Sequence, residues 1–206
     1  FSYTGTPYCK NGPNPVVSLG GGAVAGTFSS TAGLVFANTS TGEINIAAST
    51  AGTYTITNTV AATNGCGLVS ATATLTITAL PVATFSYAAS PYCNNATNPL
   101  PAFSGGAVAG IFSSTAGLVF VNTSTGQVNL AASTAGSYTV TNTIAAANGC
   151  AQVTATANII INTPSAGGTL SPALTTECIN TNSGTITLTG NTGAVIGWEL
   201  SVNAGT

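Results

Sequence analysis

Hydrophobic and polar residues alternate with a period of two in two long segments of the chain. Residues 53–60 read TYTITNTV and residues 69–78 read VSATATLTIT, so one face of each segment carries hydroxyl groups and the other carries mostly apolar groups. This alternation is typical of strands with one buried face. Asn64-Gly65 lies between the segments, and Asn-Gly is the preferred pair for a type I′ hairpin turn. The pattern therefore predicts an antiparallel hairpin.

The same pattern occurs twice, because the chain contains an internal repeat with an offset of 84 residues. FSSTAGLVF occurs at 28–36 and at 112–120, NGC occurs at 64–66 and at 148–150, and about 51 of the 84 aligned positions are identical. This period is longer than that of solenoid repeats and suits a small domain in tandem array. We predict one domain at 1–79, a second at 80–162, and a linker with the truncated start of a third, different Ig-like module at 163–206.

The remaining signals also favour strands. Short segments rich in β-branched residues recur between turn residues, whereas the helix formers Lys, Arg, Glu, Gln and Met are nearly missing. We predict an all-β protein of tandem immunoglobulin-like β-sandwich domains with about seven strands each. Tyr54 and Tyr138 begin the penultimate strand of each repeat and are candidates for a tyrosine corner, unless Tyr stands there only as a good strand residue.

Charged residues are scarce: 2% of the 206 residues, with one Lys, three acidic residues and no His. An average domain is roughly a quarter charged. Without His or Asp we expect no His-based triad, no metal site and no cofactor, and three scattered Glu make a glycosidase pair improbable. One Lys cannot form a nucleic-acid-binding patch. The apolar runs are far shorter than the roughly 18 residues of a membrane span. We expect a protein that is not an enzyme.

The chain has five Cys, and their spacing repeats. Cys9 and Cys66 are 57 residues apart, as are Cys93 and Cys150. A pair that occurs once per domain predicts the intradomain disulfides Cys9–Cys66 and Cys93–Cys150, and hence an extracellular location. Zinc binding is the competing interpretation, but two Cys without His or Asp do not complete a zinc site. Cys178 has no partner in this sequence and is expected to pair beyond it or to be free.

Rows of hydroxyl residues are the strongest predicted surface feature. If the Asn-Gly turn pairs the two long strands of the first domain, two rows lie side by side on its outer face. They could carry O-linked glycans, contact a neighbouring subunit, or bind an ordered surface such as ice or polysaccharide. The alternative is that Thr is simply what an uncharged outer strand face uses. The rows are Thr53, Thr55, Thr57 and Thr59, and Ser70, Thr72, Thr74, Thr76 and Thr78.

These motifs together resemble a known family. The pattern P-x-A-T-F-S-Y, P-Y-C, F-S-S-T-A-G-L, N-x-S-T-G-x-[IV]-N, A-S-T-A-G-[TS]-Y-T-[IV]-T and N-G-C, over residues 1–162, is similar to the tandem repeats of large Bacteroidota surface proteins. These include the gliding-motility adhesins that the type IX pathway secretes. The resemblance implies a cell-surface or secreted filament that works as adhesin or stalk. It brings no catalytic residues and no ligand.

The leading hypothesis is therefore a structural and adhesive surface protein whose partners are neighbouring copies or modules of itself, and perhaps surface glycans. The alternative is a carbohydrate-binding accessory module of a secreted enzyme, which predicts a cluster of exposed aromatic side chains. The one Trp, Trp198, is expected in the core of the third sandwich, with carbohydrate stacking as the alternative.

Overall fold

The computed structural model describes residues 1–63, 65–171 and 185–198, and every regular element in those ranges is a β-strand. The first repeat contains β1 (Tyr8–Cys9), β2 (Thr27–Ser30), β3 (Phe36–Asn38), β4 (Glu43–Ile44), β5 (Gly52–Val60) and β6 (Val69–Thr78). The second repeat contains β7 (Phe85–Ser86), β8 (Tyr92–Cys93), β9 (Ala102–Phe103), β10 (Ile111–Ser114), β11 (Phe120–Asn122), β12 (Gln127–Val128), β13 (Gly136–Ile144) and β14 (Val153–Asn162).

The all-β immunoglobulin-like fold predicted from the sequence is confirmed. In the first repeat the main sheet has the order β1-β6-β5-β2, and the second repeat has the equivalent order β8-β14-β13-β10. The strand pairs β3–β4 and β11–β12 form the smaller sheets. The second repeat has one more pair, β7–β9, where the first has a single bridge between Ser2 and Ser18. The strand number is thus six in one repeat and eight in the other.

The predicted hairpins form with the register that the alternation requires. β5 pairs with β6 in antiparallel fashion with Tyr54 opposite Leu75, and β13 pairs with β14 with Tyr138 opposite Ile159. Side chains at every second position of a strand share a face, so the apolar positions all point into the core. The first strand of each main sheet pairs in parallel instead, which places Cys9 opposite Thr78, the last residue of β6.

Each repeat has its own hydrophobic core between its sheets. In both cores, apolar side chains of the two long strands pack against a Phe of the edge strand and against residues of the small sheet. The core of the first repeat contains Tyr3, Phe28, Ile44, Ile46, Tyr54, Ile56, Leu75 and Ile77. The core of the second contains Tyr87, Phe112, Leu118, Val128, Leu130, Tyr138, Val140, Ile159 and Ile161.

The segment after the second repeat forms one hairpin in its described residues. β15 (Gly167–Ser171) pairs with β16 (Thr187–Asn191) in antiparallel fashion. Trp198 follows this hairpin and is 63% exposed, so the expectation that it belongs to a sandwich core is wrong for the described residues.

Candidate functional site: the joint between the repeats and the hydroxyl face

A disulfide joins the two repeats. Cys9 of the first repeat is bonded to Cys150 of the second, across 141 residues of sequence, with their Cα atoms 4.6 Å apart. Both are buried, at 3% and 5% exposure. The predicted intradomain bonds Cys9–Cys66 and Cys93–Cys150 are therefore wrong. We call the contact around Cys9 and Cys150 the joint.

The parallel pairing of β1 explains why an intradomain bond cannot form. Cys9 lies beside Thr78 at the end of β6, whereas Cys66 precedes the start of β6 at Val69. The nine residue steps along β6 span about 30 Å at roughly 3.3 Å per residue, whereas a disulfide needs Cα atoms within about 7 Å. Each repeat therefore has its two Cys at opposite ends, which we call the strand end (Cys9 or Cys93) and the hairpin end (Cys66 or Cys150).

The Asn-Gly turn of the second repeat is built to fit the first. Asn148 and Gly149 have φ angles of 51° and 80°, as a type I′ turn requires, and Ala147 and Cys150 exchange backbone hydrogen bonds of 3.1 and 2.9 Å. A Cβ atom on Gly149 would lie 2.0 Å from the carbonyl oxygen of Pro7. Gly149 is thus needed both for its backbone conformation and because the backbone of the first repeat lies against it.

The equivalent Cys of the other two ends are free and exposed. Cys66 lies at the hairpin end of the first repeat and Cys93 at the strand end of the second. A Cβ atom on Gly65 would meet nothing within 4 Å. Cys178 lies outside the described residues.

The two hydroxyl rows lie side by side on the outer face of the first repeat. The register places Thr53 opposite Thr76, and their Oγ1 atoms are 3.0 Å apart. Further along, Thr55, Thr57 and Thr59 stand opposite Thr74, Thr72 and Ser70, and every one of these side chains is exposed or half-buried. We call this surface the hydroxyl face.

The second repeat keeps only part of this surface. Thr141 and Thr143 still stand opposite Thr156 and Thr154, but Asn158 and Ile160 replace two hydroxyl residues. Thr139 donates a hydrogen bond of 3.2 Å to Oδ1 of Asn158, and Ile160 is 41% exposed. The hydroxyl face therefore differs in chemistry between neighbouring repeats.

Tyr54 and Tyr138 make the bond that defines a tyrosine corner. Each phenol donates to the carbonyl oxygen of a Thr four residues earlier, at 2.7 Å for Thr50 and 2.8 Å for Thr134. The Thr hydroxyls lie 2.7 and 2.6 Å from the same phenol oxygens. The rings belong to the two cores.

Sequence reasoning missed a buried Asn in each repeat. Asn58 accepts a hydrogen bond of 2.8 Å from the amide of Gly26 and donates one of 2.9 Å to the carbonyl of Val24. Asn142 makes the same two bonds and also donates to the carbonyl of Ala83, at 2.9 Å, in the segment that links the repeats. The available signal was a polar residue at an inward position of an alternating strand.

The few titratable groups serve the fold. The Lys10 ammonium donates to the carbonyls of Ile46, Ala47 and Ser49. Tyr3 donates a hydrogen bond of 2.6 Å to the carbonyl of Gly42, and burial, with a smaller effect of Tyr8, raises the pKa of Tyr3 to about 12. Within the described ranges, no three His, Cys, Asp or Glu side chains lie close enough together to hold a metal ion.

One cavity of about 490 Å³ lies where the end of the β13–β14 hairpin meets the following segment. Its walls are neutral and include Gly136, Asn162, Ser165 and Thr192. The exposed aromatic side chains predicted by the carbohydrate-binding alternative are few. Among the described residues, Phe103 is 37% exposed and packs edge-on against Phe112, which leaves Trp198 as an exposed ring.

Among the described residues, there is no helix with the length and apolar character needed to cross a bilayer. No protein-family model matches the chain, and no curated protein matches it. Among solved structures it is similar to Drosophila N-cadherin EC1–4, at 11% identity over 75% of this chain and 46% of that chain, with a TM-score of 0.37. It is also similar to a SusE-like surface-located polysaccharide-binding protein from the heparin utilisation locus of Bacteroides thetaiotaomicron, at 20% identity over 68% of this chain and 30% of that chain, with a TM-score of 0.27. The chain spans less than half the length of either structure.

Proposed function

We propose that this chain is the structural and adhesive repeat region of an extracellular bacterial surface protein or filament, and that it acts mechanically rather than as an enzyme. The observation that carries this proposal is the Cys9–Cys150 bond between neighbouring repeats. A disulfide within one domain stabilises that domain alone, whereas this bond resists separation of the two repeats. It also favours an oxidising location outside the cell.

The bond shields most of both cores from a stretching force. A load applied to the two ends of the chain passes from one repeat to the other through Cys9 and Cys150, so the 141 residue steps between them cannot extend. Nearly all the core residues of both repeats lie inside this closed loop. The closed loop therefore sets an upper limit on how far the two repeats can be stretched.

The hydroxyl face supports the adhesive part of the proposal. Rows of exposed or half-buried Thr offer many hydrogen-bond donors and acceptors without charge, so contacts with a neighbouring module or a glycan bury no ions. Such contacts are little screened by salt, because there are few charges to screen. Neighbouring copies and surface glycans are the proposed partners of this face.

Single-molecule stretching of the full chain tests the proposal. Without reductant, unfolding should release only the residues outside the closed loop. With reductant, or in a Cys9→Ser variant, the contour length gained should increase by up to about 480 Å, since 141 residue steps extend by roughly 3.4 Å each.

Cys66→Ser is the matched control, because Cys66 has no disulfide partner in the structure. This variant should unfold like the wild type in the absence of reductant. Equal contour lengths with and without reductant would show that the joint bears no load and would overturn the proposed mechanical role.

A further inference from the structure

We propose that exposed Cys66 and Cys93 are the two unfilled halves of a second joint, and that Cys93 of one copy forms a disulfide with Cys66 of a second copy. Chains would then join end to end through bonds equivalent to Cys9–Cys150. This inference rests on the proposed role in a filament and adds the covalent link by which copies assemble.

The repeat itself carries the argument. With the offset of 84 residues, Cys93 occupies the position of Cys9, and Cys66 occupies the position of Cys150. The bonded pair thus consists of a strand-end Cys and a hairpin-end Cys from different repeats, and the exposed pair consists of the same two types. A strand end exposed on one copy therefore matches a hairpin end exposed on another.

The strand end of the second repeat has the features of the bonded one. Pro91-Tyr92-Cys93 repeats Pro7-Tyr8-Cys9, and β8 pairs in parallel with the end of β14 just as β1 pairs with the end of β6. Cys93 stands opposite Asn162 and is exposed, so its thiol is accessible to a hairpin from another molecule.

The hairpin end of the first repeat is shaped like the bonded one and is uncovered. Gly65 has a φ angle of 82°, against 80° for Gly149. The space beside Gly65 is empty, whereas the backbone of Pro7 fills the space beside Gly149. Two apolar side chains flank the free thiol of Cys66, since Leu68 and Val69 are 65% and 64% exposed. Contact with a second copy would cover them.

Bond formation requires an oxidant, and we assign this role to an external disulfide, either a small molecule or a protein. The Cys93 thiolate attacks one sulfur of the external disulfide and releases one thiolate. The Cys66 thiolate of the second copy then attacks the Cys93 sulfur of the mixed disulfide and releases the other. Two protein thiols lose their protons and are oxidised, one disulfide forms between the copies, and the external disulfide is reduced to two thiols.

Oxidation of the full chain in a glutathione redox buffer tests the pairing. The wild type should give a ladder of covalent oligomers on non-reducing gels. In a Cys178→Ser background, Cys66→Ser and Cys93→Ser should each stay monomeric alone and should give a dimer when mixed. With one variant labelled with nitrogen-15, the mixed dimer should exceed either homodimer by about tenfold, because docking orients the two thiols. Peptic digestion should recover a Cys66–Cys93 peptide, since the single Lys makes trypsin unsuitable.

Gly65→Asn provides a variant that keeps its fold. Asn tolerates the left-handed backbone of this turn, so the melting temperature should stay close to that of the wild type. Its Cβ would strike the Pro91 carbonyl of the second copy as one on Gly149 would strike Pro7, so the yield of cross-linked dimer should fall about tenfold.

Three results would overturn the inference. The first is a statistical mixture of homodimers and mixed dimers. The second is quantitative formation of a Cys93–Cys178 bond within one wild-type chain. The third is that Cys66 and Cys93 remain thiols while Cys9–Cys150 forms. None of these changes the stretching result expected for the Cys9–Cys150 bond, so the proposed function can stand if this inference fails.

Discussion

The phenol of Tyr54 donates a hydrogen bond of 2.7 Å to the carbonyl oxygen of Thr50, which fixes the turn before β5 to the strand that follows it. Tyr54→Phe keeps the ring in the core but leaves this carbonyl without its donor. We expect a loss of about 1 kcal/mol in the free energy of unfolding, measured by urea denaturation. Tyr138→Phe should cause a similar loss, whereas Tyr92→Phe should cause little change because its hydroxyl is exposed. Equal effects of Tyr54→Phe and Tyr92→Phe would contradict the role of the corner.

The buried Asn residues should differ in their effect on stability. Asn142→Ala removes hydrogen bonds to Gly110, Val108 and Ala83, whereas Asn58→Ala removes only those to Gly26 and Val24. Each buried polar group left without a partner costs roughly 1–3 kcal/mol. Asn142→Ala should therefore destabilise the protein by about 1 kcal/mol more than Asn58→Ala in urea denaturation.

The exposed Asn158 supplies the control for this comparison. Asn158→Ala should change the free energy of unfolding by less than about 0.5 kcal/mol, as surface substitutions usually do. If Asn58→Ala proved as harmless as Asn158→Ala, the structural role given to the buried amide would be wrong.

Alkaline pH should destabilise the first repeat through Tyr3. Its pKa is raised from 10.0 to about 12 in the folded protein, so between these values the folded state holds a proton that the unfolded state has lost. Stability is then fully present below pH 10 and falls as the pH rises toward 12. Thermal melts across this range check the prediction, with free thiols alkylated first so that disulfides do not exchange.

Tyr3→Phe removes the titrating group and should make the fall with pH shallower, although the variant starts from a lower stability. The slope with pH, rather than the stability at one pH, is the quantity to compare. An unchanged slope in Tyr3→Phe would show that other groups cause the alkaline loss.

Thiol accounting checks the disulfide pairing directly. In the unfolded, non-reduced chain, alkylation should label Cys66 and Cys93 and leave Cys9 and Cys150 unlabelled. For these four residues the mass should fall short of the fully reduced mass by two hydrogens, and intradomain pairing would remove four. A peptic fragment that joins Cys9 to Cys66 would contradict the structure.

The long hairpins could be predicted because their signals are local. Alternation over residues 53–60 and 69–78, with Asn64-Gly65 between them, fixed which side chains face the core and which Thr lie opposite each other. The tyrosine corner could be proposed for the same reason, since Tyr54 and Thr50 are four residues apart. Local spacing also pointed to the hydroxyl face.

The disulfide pairing could not be predicted, because it depends on a contact that leaves no periodic pattern. β1 has two residues, and its parallel pairing with β6 joins segments almost 70 residues apart. In a repeated sequence, bonding Cys9 to Cys66 or to Cys150 satisfies the same spacing rule. Only the placement of Cys9 beside Thr78 distinguishes the two pairings. The buried Asn58 was overlooked because its partners, Val24 and Gly26, lie in a segment without strand character.

The joint also limits rotation between the repeats. Two bodies tied by a single peptide segment can twist about it, as beads turn on a thread. Here the chain passes from one repeat to the next through residues 79–84, and Cys9–Cys150 provides a second attachment elsewhere on the same pair of ends. Two separate ties remove the free torsional axis, so successive repeats keep a set angle, and the outward direction of the hydroxyl face on one repeat determines its direction on the next.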